Sequence, residues 1–111
     1  MLGFVINRRD EEDYPIFDLP YSQWPNVLRP NTVPATILDE SQTANQVIEV
    51  YGYRISLVDE MAGLQIEVES DDMPDELARK VVAEIHSNIE QATGHTYDLF
   101  ELPPDKPVRF M

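Results

Sequence analysis

The residues that could support nucleophilic chemistry are two histidines, His86 and His95, and five serines, Ser22, Ser41, Ser56, Ser70 and Ser87. A serine nucleophile needs a base within hydrogen-bond reach and a third group to orient that base. No local pattern marks any of these residues. G-x-S-x-G, H-E-x-x-H, the phosphate-cradling G-x-x-x-x-G-K-S/T and G-x-G-x-x-G are all missing from the chain. His86 and His95 lie nine apart, which is not a two-histidine ligand spacing. They read as residues at the boundary of the core. Zero cysteines remove disulfides and thiolate metal sites. Carboxylates are abundant, but a general acid needs burial to raise its pKa, and Glu67 and Glu69 fall on the polar parity of a strand. Asp71, Asp72, Asp75 and Glu76 crowd together like a cation site. Pro74 interrupts them and the EF-hand order is not met, so capping of a helix explains them better. The expectation is a non-enzyme with no cofactor and no metal.

The elements that must position these residues are clearest between Gln46 and Gly94. Leu64, Ile66 and Val68 alternate with Gln65, Glu67 and Glu69, the period of a strand with one wet face. A strand from about Val47 to Val58 precedes it. Its two halves have opposite apolar parity, so either both faces are covered or, the favoured reading, a bulge near Gly52 shifts the register. The five residues from Asp59 to Gly63 are expected to form a hairpin loop with a positive φ at its end. Pro74 suits a first helical position, with Asp75 and Glu76 complementing the helix dipole. Leu77, Val81, Ile85, Ile89 and Ala92, with Ala78 and Val82, form an apolar stripe for a sheet face. Gly94 suits the left-handed position that ends a helix.

Around this core, Leu2 to Ile6 reads as an opening strand, Pro34 to Leu38 as a short one, and Asp39 to Asn45 as a polar loop. Tyr14 to Pro34 carries prolines at 15, 20, 25, 30 and 34, which forbid a continuous helix or a central strand. It is too apolar for a linker and is expected to pack as a turn-rich arm. That arm either covers a sheet face or leaves Tyr21 and Trp24 as recognition anchors. His95 to Leu102 reads as a strand with apolar residues on both faces, hence inside the sheet or beside the arm. Residues 103–111 form a proline-rich tail. The whole is one domain, α+β, with the order β-arm-β-β-α-β: a mostly antiparallel sheet with one long helix packed on one face.

Composition narrows the function. A chain of 111 residues with 42% hydrophobic residues supports a single core. It has no run of about 18 apolar residues that could cross a membrane. The N-terminal order of charge and apolar residues is wrong for a secretory signal, so the expected location is cytoplasmic. Twenty-one acidic against eight basic residues give a net charge of −13. Between Asp39 and Glu76, eleven carboxylates face only Arg54. Such a field repels nucleic acid and membrane phosphates and attracts basic partners. Recognition is therefore the better class.

The segments YGYRISLVDEMAGLQIEVE and DELARKVVAEIHSNIEQATG carry an aromatic-glycine pair (Tyr51, Gly52), an acidic turn ending in glycine (Asp59, Glu60, Gly63), a strand closing on Glu69 and a helix ending at Thr93-Gly94. In these features the chain resembles the cores of small acidic immunity proteins that bacteria encode beside polymorphic and contact-dependent toxins. The resemblance covers under half the chain. It implies a specific inhibitor that blocks a cognate toxin domain, which in many such systems is a nuclease with a basic cleft. On that reading Asp59, Glu60, Glu67, Glu69, Asp71 and Asp72 supply charge, and Tyr51, Tyr53 or Trp24 supply apolar anchors. Two alternatives stay open. One is a non-catalytic accessory subunit, homodimeric through an edge strand. The other is a small enzyme with an unrecognised carboxylate site.

Overall fold

The computed structural model describes residues 2–8, 23–40, 46–60 and 63–102. Expectations for residues 14–22 of the arm, 41–45 of the polar loop and 103–111 of the tail lie outside the described residues, whereas Asp39 and Glu40, expected in that loop, belong to a strand that pairs with residues 46–47. The elements are β1 (Gly3–Arg8), a single helical turn α1 (Trp24–Val27), β2 (Thr36–Glu40), β3 (Gln46–Val50), β4 (Tyr53–Glu60), β5 (Gly63–Val68), α2 (Asp75–Thr93) and β6 (Tyr97–Leu102). The six strands make one sheet in the order β2-β3-β4-β5-β1-β6, and every neighbouring pair is antiparallel. The chain is α+β.

The stretch expected as one bulged strand is a hairpin. Tyr51 and Gly52 have φ of 51° and 85°, the pair of left-handed conformations that a two-residue turn requires to match strand twist. Val50 pairs with Tyr53, Ile48 with Ile55 and Gln46 with Leu57. Apolar residues of opposite sequence parity thereby reach the same face, which is why the pattern resembles a register shift.

The next hairpin is also tighter than five residues. Glu60 pairs with Gly63, leaving only positions 61 and 62, outside the described residues, between the strands. Gly63 has φ of 123°, and a β-carbon there would strike the Asn7 side chain and lie 2.5 Å from the Ile6 carbonyl oxygen. Glycine at this position lets β5 lie against β1.

Leu64, Ile66 and Val68 are buried with Phe4, Ile6, Ile48, Ile55 and Leu57 in one cluster with the apolar stripe of α2. In α2, Ala78, Val81, Val82, Ile85 and Ile89 are buried. Leu77 is half-buried and Ala92 is exposed in the last turn, so the stripe ends one step earlier than its spacing suggests. Pro74 is the N-cap rather than the first helical residue; its carbonyl accepts the Ala78 N–H at 3.1 Å. Gly94 closes the helix at φ 74°, donating its N–H to the Glu90 carbonyl at 2.9 Å.

Two burial expectations fail. Gln65, expected on a wet face, is buried between its register neighbours Val58 and Val5. A central strand has partners on both sides, and these cover it. In contrast β6, expected inside the sheet or beside the arm, is paired to β1 alone and ends the strand order, so the first of these fails. Tyr97 is buried toward α2, while Phe100, on the opposite face, is 50% exposed.

The arm's described part is helical for one turn despite its prolines, because Pro25 falls in the first turn, where its missing N–H is not needed. Trp24, Val27, Leu28 and Val33 join the core cluster. Two residues on α2 clip this segment down. Asn88 donates to the Arg29 carbonyl at 2.9 Å and accepts from Asn31 at 2.7 Å. Glu84, one turn earlier, accepts the Thr32 N–H at 2.8 Å and the Thr32 hydroxyl.

Candidate functional site

Hydrogen bonds at the exit of β5 gather several groups at one end of the sheet. The Val68 N–H donates to the Leu2 carbonyl at 3.1 Å, and the Glu69 N–H to the Arg54 carbonyl at 2.9 Å. The Arg54 N–H in turn donates to Ser70 Oγ at 3.0 Å. A turn closed by the Met73 N–H on the Ser70 carbonyl at 3.2 Å then delivers the chain to the start of α2. The Tyr51–Gly52 turn is at this same end, because it opens β4, whose first residues flank the last of β5.

Of the residues predicted to bind a partner, Tyr51, Glu69, Asp71 and Asp72 are therefore brought to one end, and all four are exposed. The Glu69 carboxylate is oriented by the Ser56 hydroxyl, which donates to it. Glu67 lies beside Ser56 in register and is half-buried on the sheet face away from the core. The others separate from this group. Asp59 and Glu60 close the far end of β4, an eight-residue strand about 23 Å long, and only their backbone is among the described residues. The sequence groups them with Asp71 because both flank the same hairpin; extended geometry puts them at opposite ends. Tyr53 is half-buried against the core. Trp24 is 3% exposed, so it is a core residue and not a surface anchor.

The predicted partner-binding set left out Asp75 and Glu76, counted in the acidic excess and read as helix capping, which share the acidic end with these residues. It also missed Glu49, which lies opposite Arg54 in register. The signal is present in the strand pairing, but reading it requires the hairpin at Gly52 to be recognised.

His86 is engaged at the junction of α2 and β6. His86 Nε2 lies 2.6 Å from the Tyr97 carbonyl oxygen, to which it donates, and 3.6 Å from the Glu90 carboxylate. Glu90 accepts the Tyr97 N–H at 2.9 Å. Both side chains are thus committed to holding the start of β6 against α2. A cleft of about 200 Å³ opens at the other end of α2, and neither histidine lines it. Among the described residues no three His, Asp or Glu side chains group as a metal site.

Two electrostatic features stand outside the acidic end. Burial pushes the Glu84 carboxyl up, but hydrogen bonds from Thr32 and Asn31 together with nearby Lys80 outweigh it and hold its pKa below the ordinary value. Glu101 on β6 is also held low, by the hydrogen bonds and charge of Arg79 on α2, through contacts of 2.8 and 3.0 Å.

The chain matches no family model, and no curated protein or solved structure matches it. No helix among the described residues is long and apolar enough to cross a membrane.

Proposed function

We propose that this chain is a non-catalytic binding protein, an immunity protein that neutralises a cognate bacterial toxin domain in the cytoplasm. The observation that carries the reading is the grouping of Glu69, Asp71, Asp72, Asp75 and Glu76 at one end of the sheet beside the exposed Tyr51. Clustered like charge accelerates encounter with a basic partner, and an exposed aromatic supplies contact area at low entropic cost. A toxin with a basic, phosphate-tracking cleft fits both. The resemblance of the β4–β5–α2 sequence to immunity-protein cores supports the same class.

The experiment pairs gene neighbourhood with co-expression. The expected finding is an adjacent gene for a large secreted protein with a variable C-terminal domain. That domain should arrest growth when expressed alone and be silenced by this chain. Growth arrest that persists in the presence of this chain would overturn the reading. Salt dependence separates steering from contact: the association rate should fall as ionic strength rises.

A second reading, a homodimeric accessory subunit, is favoured by Leu38 on β2 and Phe100 on β6, large apolar residues 44% and 50% exposed on the two outermost strands. Sedimentation across a range of concentrations decides it. The net charge of −13 works against self-association.

A further inference from the structure

The cleft at the start of α2 combines an apolar floor with an acidic rim. Leu2, Val68, Met73 and Ala78, all buried, line the floor beside the half-buried Ser70. Asp71 and Asp75 stand on the rim, both exposed. Among the described residues neither carboxylate has an ion-pair partner. Nearby Arg79 is committed to Glu101.

We infer that this cleft receives a single arginine or lysine side chain of a partner polypeptide. This rests on the partner-binding reading above and names the chemistry that the acidic end recognises. Three observations select the occupant. First, about 200 Å³ is below the roughly 300–1,000 Å³ of small-molecule sites, and matches one long side chain. Second, a basic side chain has the same two-part character as the cleft: its methylene stem lies on apolar surface while its charged tip stays at the rim. Third, the charge is complementary. The N-terminus of α2 contributes roughly half a positive charge. Asp71, Asp72, Asp75 and Glu76 outweigh that and the nearby Arg79 guanidinium together, so an anion is disfavoured here.

The test is an amide chemical-shift titration of the intact chain with a short capped peptide, Gly-Arg-Gly, and its neutral isostere, Gly-citrulline-Gly. The arginine peptide should give saturable shifts confined to Asp71, Met73, Asp75, Ala78 and their neighbours; the citrulline peptide should give none. Asp71→Asn combined with Asp75→Asn should weaken binding at least about fivefold, the upper range for solvent-exposed ion pairs. Asp98→Asn removes the same charge on β6, off the cleft, and should leave the affinity nearly unchanged. Asp71→Asn alone, outside the helix, serves if the double variant does not fold. Equal shifts with citrulline, shifts spread over the whole acidic end, or an Asp98→Asn loss as large as that of Asp71→Asn would overturn the inference. If the cleft fails while co-expression still protects, the inhibitor reading stands without it; if the peptide binds and protection fails, the cleft stands and the inhibitor reading falls.

Discussion

Tyr51 occupies a backbone conformation that asparagine or glycine adopts more cheaply. At φ 51° a side chain with a β-carbon crowds the following carbonyl, at a cost of about 1 kcal/mol. Tyr51→Asn should therefore raise the unfolding midpoint in urea while lowering affinity for a partner that uses the ring. A variant that is destabilised would show that the ring packs in the free protein. The two turn glycines should differ in a way that sequence alone does not predict. A β-carbon added at Gly52 meets nothing within 4 Å, so Gly52→Ala encounters only backbone strain, about 1 kcal/mol. Gly63→Ala adds a collision with the Ile6 carbonyl and should cost clearly more, measured by the same denaturation. Equal losses would mean that β1 and β5 move apart without penalty. Glu84 gives a pH signature. Its folded pKa is lowered, so its stabilising contribution is complete above the unfolded value of about 4.3 and is lost as pH falls through the folded value. The stability gap between wild type and Glu84→Gln should narrow from pH 7 to pH 3; a constant gap rules out the carboxylate as the source.

At the level of elements, α1 is held by polar clips from α2 as well as by apolar packing. Trp24 is the single tryptophan and is buried, so its fluorescence reports this segment alone. Asn88→Ala removes the contacts to Arg29 and Asn31. It should shift Trp24 emission to the red at denaturant concentrations below the main unfolding of the sheet. Coincident transitions would make α1 part of one cooperative unit. Ile85→Ala, at the centre of the α2 stripe and fully buried, should instead lower global stability by about 2–5 kcal/mol. Much of this architecture is legible in the chain. The α2 stripe, the Gly94 stop and the apolar row of β5 follow from local periodicity, and the structure keeps them, except that Ala92 is exposed and Gln65 between the apolar residues is buried. The hairpin at Gly52 is not legible in this way, because a two-residue turn swaps parity just as a bulge does, and tyrosine rarely fills its first position. The clips by Glu84 and Asn88 are invisible for another reason. They look like ordinary solvent-facing helix residues until the chain at 29–32 is known to pass beside them. For the candidate site, residue types are readable but their gathering is not. Asp59 and Asp71 flank the same hairpin in sequence, and only strand direction separates them.

For the molecule as a whole, the excess of 21 carboxylates over eight basic groups is self-repulsive at neutral pH. Added salt screens that repulsion, so the melting temperature should rise between low and moderate ionic strength. A fall would place the net electrostatic benefit in ion pairs such as Arg79–Glu101 instead. The same excess biases the protein toward basic partners and away from copies of itself. One topological fact reaches beyond stability. β1 sits between β5 and β6, so Phe4 has Ile66 on one side and Glu101 on the other. On a ribosome, β1 is made before β6 and must wait for it before it finds both neighbours. The meander from β2 to β5 can assemble through near neighbours, whereas lodging β1 closes a long loop and slows the search. Until β6 emerges, β1 is itself an edge strand with its outer backbone groups unpaired, and a chaperone that shields such an edge would act in that interval.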